Sequence, residues 1–315
     1  MPKPKINLLP LCATLLAAVL SGCGSDDPTD PAKDAPMPAE TAEFNTAQQA
    51  WRDQREARLL EPDGWASLTG LHWITPGAHY VGSDADNGIQ LTMGPEHMGM
   101  IELDGGALRF VPEDDLALTL DGEPLTGATA LRADDDPAGP SEIGFDDGKG
   151  RATVIKRGDR LALRVRHAEA PTRTGFSGLD YWTADPDWQV TGNWVPNPAG
   201  QTIEVANIIG TTDEVPNPGA IEFERDGTTH RIEALDEGGD ELFLVFADRT
   251  NGHGSYGAGR FLYVPKPDAD GRVVVDFNRS YNPPCAFTAF ATCPLPPPEN
   301  RLDLAVTAGE KAYGH

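Results

Sequence analysis

The chain reads as an all-β protein, mainly antiparallel, with two β-sandwich or barrel-like units behind one N-terminal helix. Three observations predict this. Short apolar alternations recur from Gly77 onward, divided by the Asp-Gly, Asn-Gly and Gly-Gly pairs that close tight hairpins. Glycine (34) and proline (28) are abundant, as many short strands and turns require. No series of long helical patterns alternates with strands, which argues against a doubly wound parallel sheet.

The first segment is set apart by composition. Lys3 and Lys5 precede an apolar run from Leu8 to Leu20, which ends Leu20-Ser21-Gly22-Cys23. A charged start, a short apolar stretch and small residues before a cut mark residues 1–22 as an export signal. The run is shorter than the roughly 20 residues that cross a bilayer. Its ending resembles the lipobox of bacterial lipoproteins. That resemblance implies acylation of Cys23, a membrane anchor and a place in the cell envelope; Gly24 after the cysteine favours the periplasmic face of the outer membrane. Residues 23–40, rich in proline and aspartate, read as a disordered tether.

A helix is expected over 41–62. Asn45 is its cap with Gln48 three residues on, Phe44, Ala47 and Trp51 share an apolar face, and Pro62-Asp63-Gly64 stops it. Arg52, Arg55 and Arg58 ride on it, as an anion site or as a solvated or carboxylate-paired face. Residues 63–170 form the first β unit. Its order of turns and a histidine-bearing strand loosely resembles forkhead-associated sandwiches, in spacing alone. Asp84, Asp86 and Asn87 read as a turn, because the loop is too short for an EF-hand. The second β unit occupies 171–315. Within it the run from Glu241 to Asp248 is nearly all apolar, as expected of a strand covered on both faces.

Charge narrows the function. With 25 basic and 49 acidic residues the formal net charge is −24, which argues against nucleic acid and against electrostatic docking on anionic lipid.

Near the end, six prolines fall between Pro283 and Pro298, with Cys285 and Cys293 among them. Proline removes donors, so the stretch 276–302 is neither helix nor central strand. Apolar runs at 273–277 and 302–306 read as strands on either side, and an ordered loop is expected between them. This stretch closely resembles the signature of a bacterial family, domain-of-unknown-function family 1684. The matching positions include Asp276, Asn278, Arg279, Tyr281, Asn282, Pro283, Pro284 and Cys285. They continue through Cys293, Pro294, Leu295, Pro296, Pro297, Glu299, Asn300, Arg301 and Leu302. Residues 65–73 resemble the opening of the same domain, so the resemblance runs from about Trp51 to Lys311. A further similarity covers Thr250, Tyr256, Gly257, Gly259 and Arg260. The resemblance implies no established activity.

Familiar catalytic motifs fail in context. Residues 252–257 spell a dinucleotide fingerprint, but the segment after it reads as a strand rather than the required helix. Ser177 lacks the strand–turn–helix of a nucleophile elbow. The histidines never take metal-site spacing, and neither metal nor cofactor is expected. For Cys285 and Cys293 several readings stay open: a disulfide, the default in an exported protein; a reactive Cys285 helped by His72 or His253; a metal pair; or two free thiols. His72 is a structural imidazole, a ligand or a general base.

Arg260, Asp276, Asn278, Arg279, Tyr281, Asn282, Glu299 and Asn300 crowd the proline loop. They are expected either to pin its backbone or to form a polar pocket, with Tyr256 and the arginines holding an anion and Asp276 or Glu299 as acid or base. The expected function is a lipid-anchored envelope protein that binds a small polar or anionic ligand, or an envelope protein, beside this loop. The alternatives are a hydrolase using Asp276, Glu299 or Cys285, and a purely structural envelope component.

Overall fold

The computed structural model describes residues 39–314, which form one compact unit. The export signal, Cys23 and the tether as far as residue 38 lie outside the described residues. No helix among the described residues is long and apolar enough to cross a membrane.

Helix α1 (Ala39–Leu59) opens the unit. It begins before the expected cap, so Asn45 lies inside the helix rather than at its end. Its inward stripe also differs from the expected one. Ala47 is exposed, whereas Gln48 and Leu59 are buried with Arg52 and Arg55 half-buried between them, at the i, i+4, i+7, i+11 spacing of one helix face. Apolar periodicity could not find this stripe, because three of its four residues are polar.

Eleven strands follow: β1 (Leu68–Ile74), β2 (Gly77–Gly82), β3 (Ile89–Gln90), β4 (Gly99–Asp104), β5 (Ala107–Pro112), β6 (Thr119–Leu120), β7 (Glu123–Pro124), β8 (Thr129–Ala130), β9 (Glu142–Phe145), β10 (Gly150–Arg157) and β11 (Arg160–His167). They make a six-stranded sheet ordered β1-β11-β10-β9-β6-β7 and a five-stranded sheet ordered β3-β2-β4-β5-β8. Both sheets contribute to one core, with Val81, Ile101 and Phe110 meeting Ile143, Val154 and Leu163, so this half is a sandwich. Its pairs are antiparallel except β2 with β3. Asp121-Gly122, between β6 and β7, takes positive φ at both residues, the twist that a two-residue hairpin turn requires.

A one-turn helix, α2 (Pro171–Thr174), leads to the second half: β12 (Gln189–Pro196), β13 (Thr202–Ala206), β14 (Thr212–Pro216), β15 (Gly219–Arg225), β16 (Thr228–Ala234), β17 (Glu241–Phe246), β18 (Arg260–Pro265) and β19 (Arg272–Asp276). A four-stranded sheet, β16-β15-β12-β19, and the hairpin β17-β18 surround a second core. Strand β17 is covered on both faces, as its composition predicts: Leu242, Leu244 and Phe246 enter this core, while Phe243 and Val245 enter a third cluster under the proline loop. The glycine-rich segment 252–257 joins β17 to β18 as a loop and opens no helix.

Residues 302–306 depart from expectation. Leu302, Leu304 and Val306 are buried, yet the segment forms no strand. It is held to the end of β17 by Leu302 N–H to Ala247 O (2.8 Å) and Arg249 N–H to Leu304 O (2.9 Å). The proline stretch is ordered, as expected. Three short 3-10 turns, Phe277–Arg279, Pro284–Ala286 and Pro298–Asn300, carry it across the second half.

Candidate functional site

Most of the polar residues of the proline loop serve the loop itself. The Asp276 carboxylate accepts from the Gln48 amide (2.7 Å) and from the backbone and side chain of Asn278 (3.1 and 2.9 Å), and it pairs with Arg279 at 3.3 Å. Asn278, fully buried, exchanges bonds with the Asp185 backbone. Asn282 donates through its backbone to Glu310 (2.7 Å) and through its side chain to Lys311 O. Asn300 ties the loop to Glu233 and Val245. Tyr256 donates to Cys285 O at 3.2 Å.

Arg260 is 0% exposed, with a buried salt bridge to Asp248 (2.6 Å) and further bonds to the carbonyls of Val306 and Ala308. It has no surface to offer a ligand. These side chains satisfy carbonyls and amides that a strandless segment would otherwise bury unpaired. The bracing reading of the cluster therefore describes these residues.

Cys285 and Cys293 are disulfide-bonded. A nucleophilic Cys285, a metal pair and free thiols all require a thiol that the bond removes. On the chain-entropy model a loop this small adds roughly 2–3 kcal/mol. His253 sits in the exposed glycine-rich loop, bonded to Asn251 O at 3.1 Å. His72 lies on β1 opposite Leu163, away from the loop. Its ring fills the space that a side chain at Gly70 would take, since a Cβ there would lie 2.5 Å from Nε2. That nitrogen has no hydrogen-bond partner among the described residues, and burial lowers the imidazole pKa. Glu299 is exposed and borders a separate polar recess with Asn197, Gln201 and Glu233. Asp276 does not border that recess. Among the described residues no cluster of His, Cys, Asp and Glu could hold a metal.

The loop does border a large cleft, of about 980 Å³. One wall is the outer face of the first sandwich. Strands β10 and β11 pair along their whole length, with Thr153 opposite Arg164 and Arg151 opposite Arg166. Ala152, Val154, Leu163 and Val165 face the core, so strict alternation sends Arg164 and Arg166 to the other side. Six arginines line the cleft: Arg55, Arg58, Arg157, Arg164, Arg166 and Arg279. Three are matched by carboxylates. Arg55 pairs with Glu310, Arg157 with Asp134 and Arg279 with Asp276.

The others are not so matched. Arg164 is 7% exposed, and among the described residues its guanidinium bonds only the Thr292 hydroxyl, at 3.2 Å. Burial, with Arg157 and Arg166 nearby, brings its pKa down to about 10. Burial likewise lowers Arg166, whose guanidinium lies 5.6 Å from the Trp65 ring. The Nε atoms of both are buried without a partner among the described residues. Such a shift means that the charged form lacks full compensation, which a bound anion would supply. Of the residues singled out in the sequence, Arg55, Arg58, Arg279, Tyr281 and Cys293 line this cleft. Arg157, Arg164 and Arg166 were not among them. The signal for Arg164 and Arg166 was the alternation Leu161-Ala162-Leu163-Arg164-Val165-Arg166, which reads as a strand with one charged face.

A profile of the family described as "Protein of unknown function (DUF1684)" matches residues 174–311. The solution NMR structure of an uncharacterised protein of Haloarcula marismortui is 32% identical, over 45% of this chain and 81% of that one, with a TM-score of 0.38. The chain belongs to the DUF1684 family. No curated protein matches it. The DUF1684 match starts at residue 174 rather than near Trp51, so residues 65–73 fall outside it. The boundary divides the cleft. The DUF1684 segment supplies the proline loop and the β17-β18 hairpin, while α1 and the first sandwich supply five of the six arginines.

Proposed function

We propose that this protein is a lipid-anchored envelope protein that binds a small anion in the arginine-lined cleft beside the proline-rich loop. The observation that carries the reading is the pair Arg164 and Arg166, two guanidiniums drawn out of water on one strand and without a direct ion pair among the described residues, with carboxylates acting on them only from a distance (Asp134 on Arg164, Asp63 and Glu142 on Arg166). A buried, incompletely compensated cation destabilises a fold, and an oxyanion bound between two guanidinium forks offsets that cost. The cleft is lined by six arginines against four carboxylates, Glu61, Asp63, Glu237 and Glu241, in a chain whose formal net charge is −24. Arginine suits carboxylate and phosphate geometry better than lysine does, and among the described residues no lysine lines the cleft.

Calorimetric titration of the full chain with inorganic phosphate and with acetate tests this. The double variant Arg164→Gln, Arg166→Gln is expected to lose at least tenfold in affinity. Its unliganded melting temperature is expected to rise by about 2 °C, because uncompensated charge has been removed. Unchanged affinity in that variant would move the site elsewhere.

The anchor is supported by the lipobox-like ending at Cys23, and the Cys285–Cys293 disulfide suits an oxidising compartment. Cells fed labelled palmitate are expected to mark the parent protein and to leave Cys23→Ser unlabelled. Equal labelling of the two would remove the anchor.

A further inference from the structure

The Thr292 hydroxyl sits among the arginines of the cleft, and its bonding is one-sided. Its oxygen accepts from Arg164 Nη2 and from Arg157 Nε, each at 3.2 Å. A hydroxyl has two lone pairs and one proton. With both lone pairs facing guanidiniums the proton is turned away from them, and it has no acceptor among the described residues. Thr292 lines the cleft, so that donor stands at its wall. The backbone fixes the placement: Thr292 O accepts from the Asn207 side chain at 2.8 Å, and the next residue, Cys293, is bonded to Cys285.

Its neighbours are donors too. Arg164 uses one bond on Thr292, and its buried Nε has no partner among the described residues; Arg166 Nε likewise has none. The two arginines stand two positions apart on one face of β11, about 7 Å along the strand. Their guanidiniums lie 5.7 and 5.6 Å from the same Trp65 ring. The nearby carboxylates are turned to other partners. Asp134 accepts from Arg157 (2.8 Å) and from the Lys156 backbone (2.7 Å), while Asp63 and Glu142 lie 3.5 and 3.6 Å from Arg151. What Thr292, Arg164 and Arg166 offer a ligand is therefore N–H and O–H hydrogen.

Building on the anion reading, we infer that Thr292 is a third member of the anion site, and that the site takes an oxyanion with no proton of its own: a sulfate or sulfonate group, or a phosphate ester that has lost both protons. Every free oxygen of such a group can accept. Hydrogen phosphate carries one P–OH, which would face donors and stay unbonded once drawn out of water. Charge does not separate the two, since sulfate and hydrogen phosphate both carry two negative charges; the single proton does. A hydroxyl whose oxygen is held by two cations is also a stronger donor than a free one, because hydrogen bonds in series polarise one another.

The test is calorimetric titration of the full chain with sulfate, methyl phosphate and inorganic phosphate at one ionic strength. It is run at about pH 8, where methyl phosphate has lost both protons and inorganic phosphate keeps one. Sulfate and methyl phosphate are expected to bind at least tenfold more tightly than inorganic phosphate. Thr292→Val, which keeps the shape and removes the hydroxyl, is expected to bring that ratio down severalfold, and Thr292→Ser to retain it. An unchanged ratio in Thr292→Val would take the hydroxyl out of the site. If inorganic phosphate binds as tightly as sulfate, an acceptor such as Asp63 completes the site, the proton-free ligand is wrong and the anion site stands. If none of the three binds, the anion reading falls and this one with it.

Discussion

Arg260→Leu should unfold a large part of this protein's margin of stability, by about 3–5 kcal/mol, the cost of breaking a buried ion pair from one side. The native guanidinium is sealed from solvent and donates to Asp248, Val306 O and Ala308 O, with Trp182 and Phe246 rings 5.3 and 5.4 Å away. Removing it strands the Asp248 carboxylate, whose other oxygen still accepts from the backbone of Thr250 (2.7 Å) and Val306 (3.3 Å). Two carbonyls lose their donors at the same time. Against a usual total of 5–15 kcal/mol, such a loss is decisive. Lysine should not rescue it, because a single ammonium cannot reproduce the fork that reaches a carboxylate and two carbonyls at once. Urea unfolding of Arg260→Leu and Arg260→Lys measures this. A loss below about 1 kcal/mol would mean that the guanidinium does not brace the tail.

Arg55→Ala should cost nearly as much, about 3 kcal/mol, and should act at a distance. Arg55 Nε pairs with Glu310 at 2.9 Å, where the carboxylate side chain is 0% exposed, and its Nη2 donates to Asn282 O at 3.1 Å. The loss is expected to fall somewhat short of the Arg260 case. Glu310 retains the Asn282 amide at 2.7 Å and the Tyr181 hydroxyl at 3.5 Å, and Arg55 itself is 12% exposed. Gln48, Arg52 and Leu59 would then be left to hold the inward face of α1. Hydrogen exchange should therefore rise across both α1 and the proline turn, 227 positions away in sequence at Asn282. Faster exchange in the helix alone would show that the two are not coupled.

The sequence declared the architecture more readily than the site. Hairpins were legible because Asp121-Gly122 and Asp226-Gly227 need positive φ, and the residues that tolerate it are few. Strand β17 was legible because the unbroken apolar run Leu242–Phe246 after Glu241 suits a strand covered on both faces. Helix α1 was found but turned the wrong way. Its docking residues Gln48, Arg52 and Arg55 work through hydrogen bonds and charge, to which apolar periodicity is blind. The segment 302–306 carries a strand's composition but pairs with residues 247–249 only through two backbone bonds and an adjoining isolated bridge, too few to make a strand, and its apolar side chains pack into the core. The polar cluster around the loop was recognised as a group. Its members' partners, Asp248 and Glu310, lie outside any motif and had no spacing to reveal them. The arginines of β11 were visible as alternation, yet only the register with β10 and the packing of the second half turn that face into a cleft.

The bonds that seat α1 reach across 228 and 255 positions of the chain, from Gln48 to Asp276 and from Arg55 to Glu310. Closures of that span come late in folding, since the intervening sheets must first bring the ends together. Until Glu310 has been synthesised, Arg55 has no carboxylate to meet, and the opening segment stays loose. For a chain proposed to be exported, that delay leaves the opening helix undocked until the whole polypeptide is in hand.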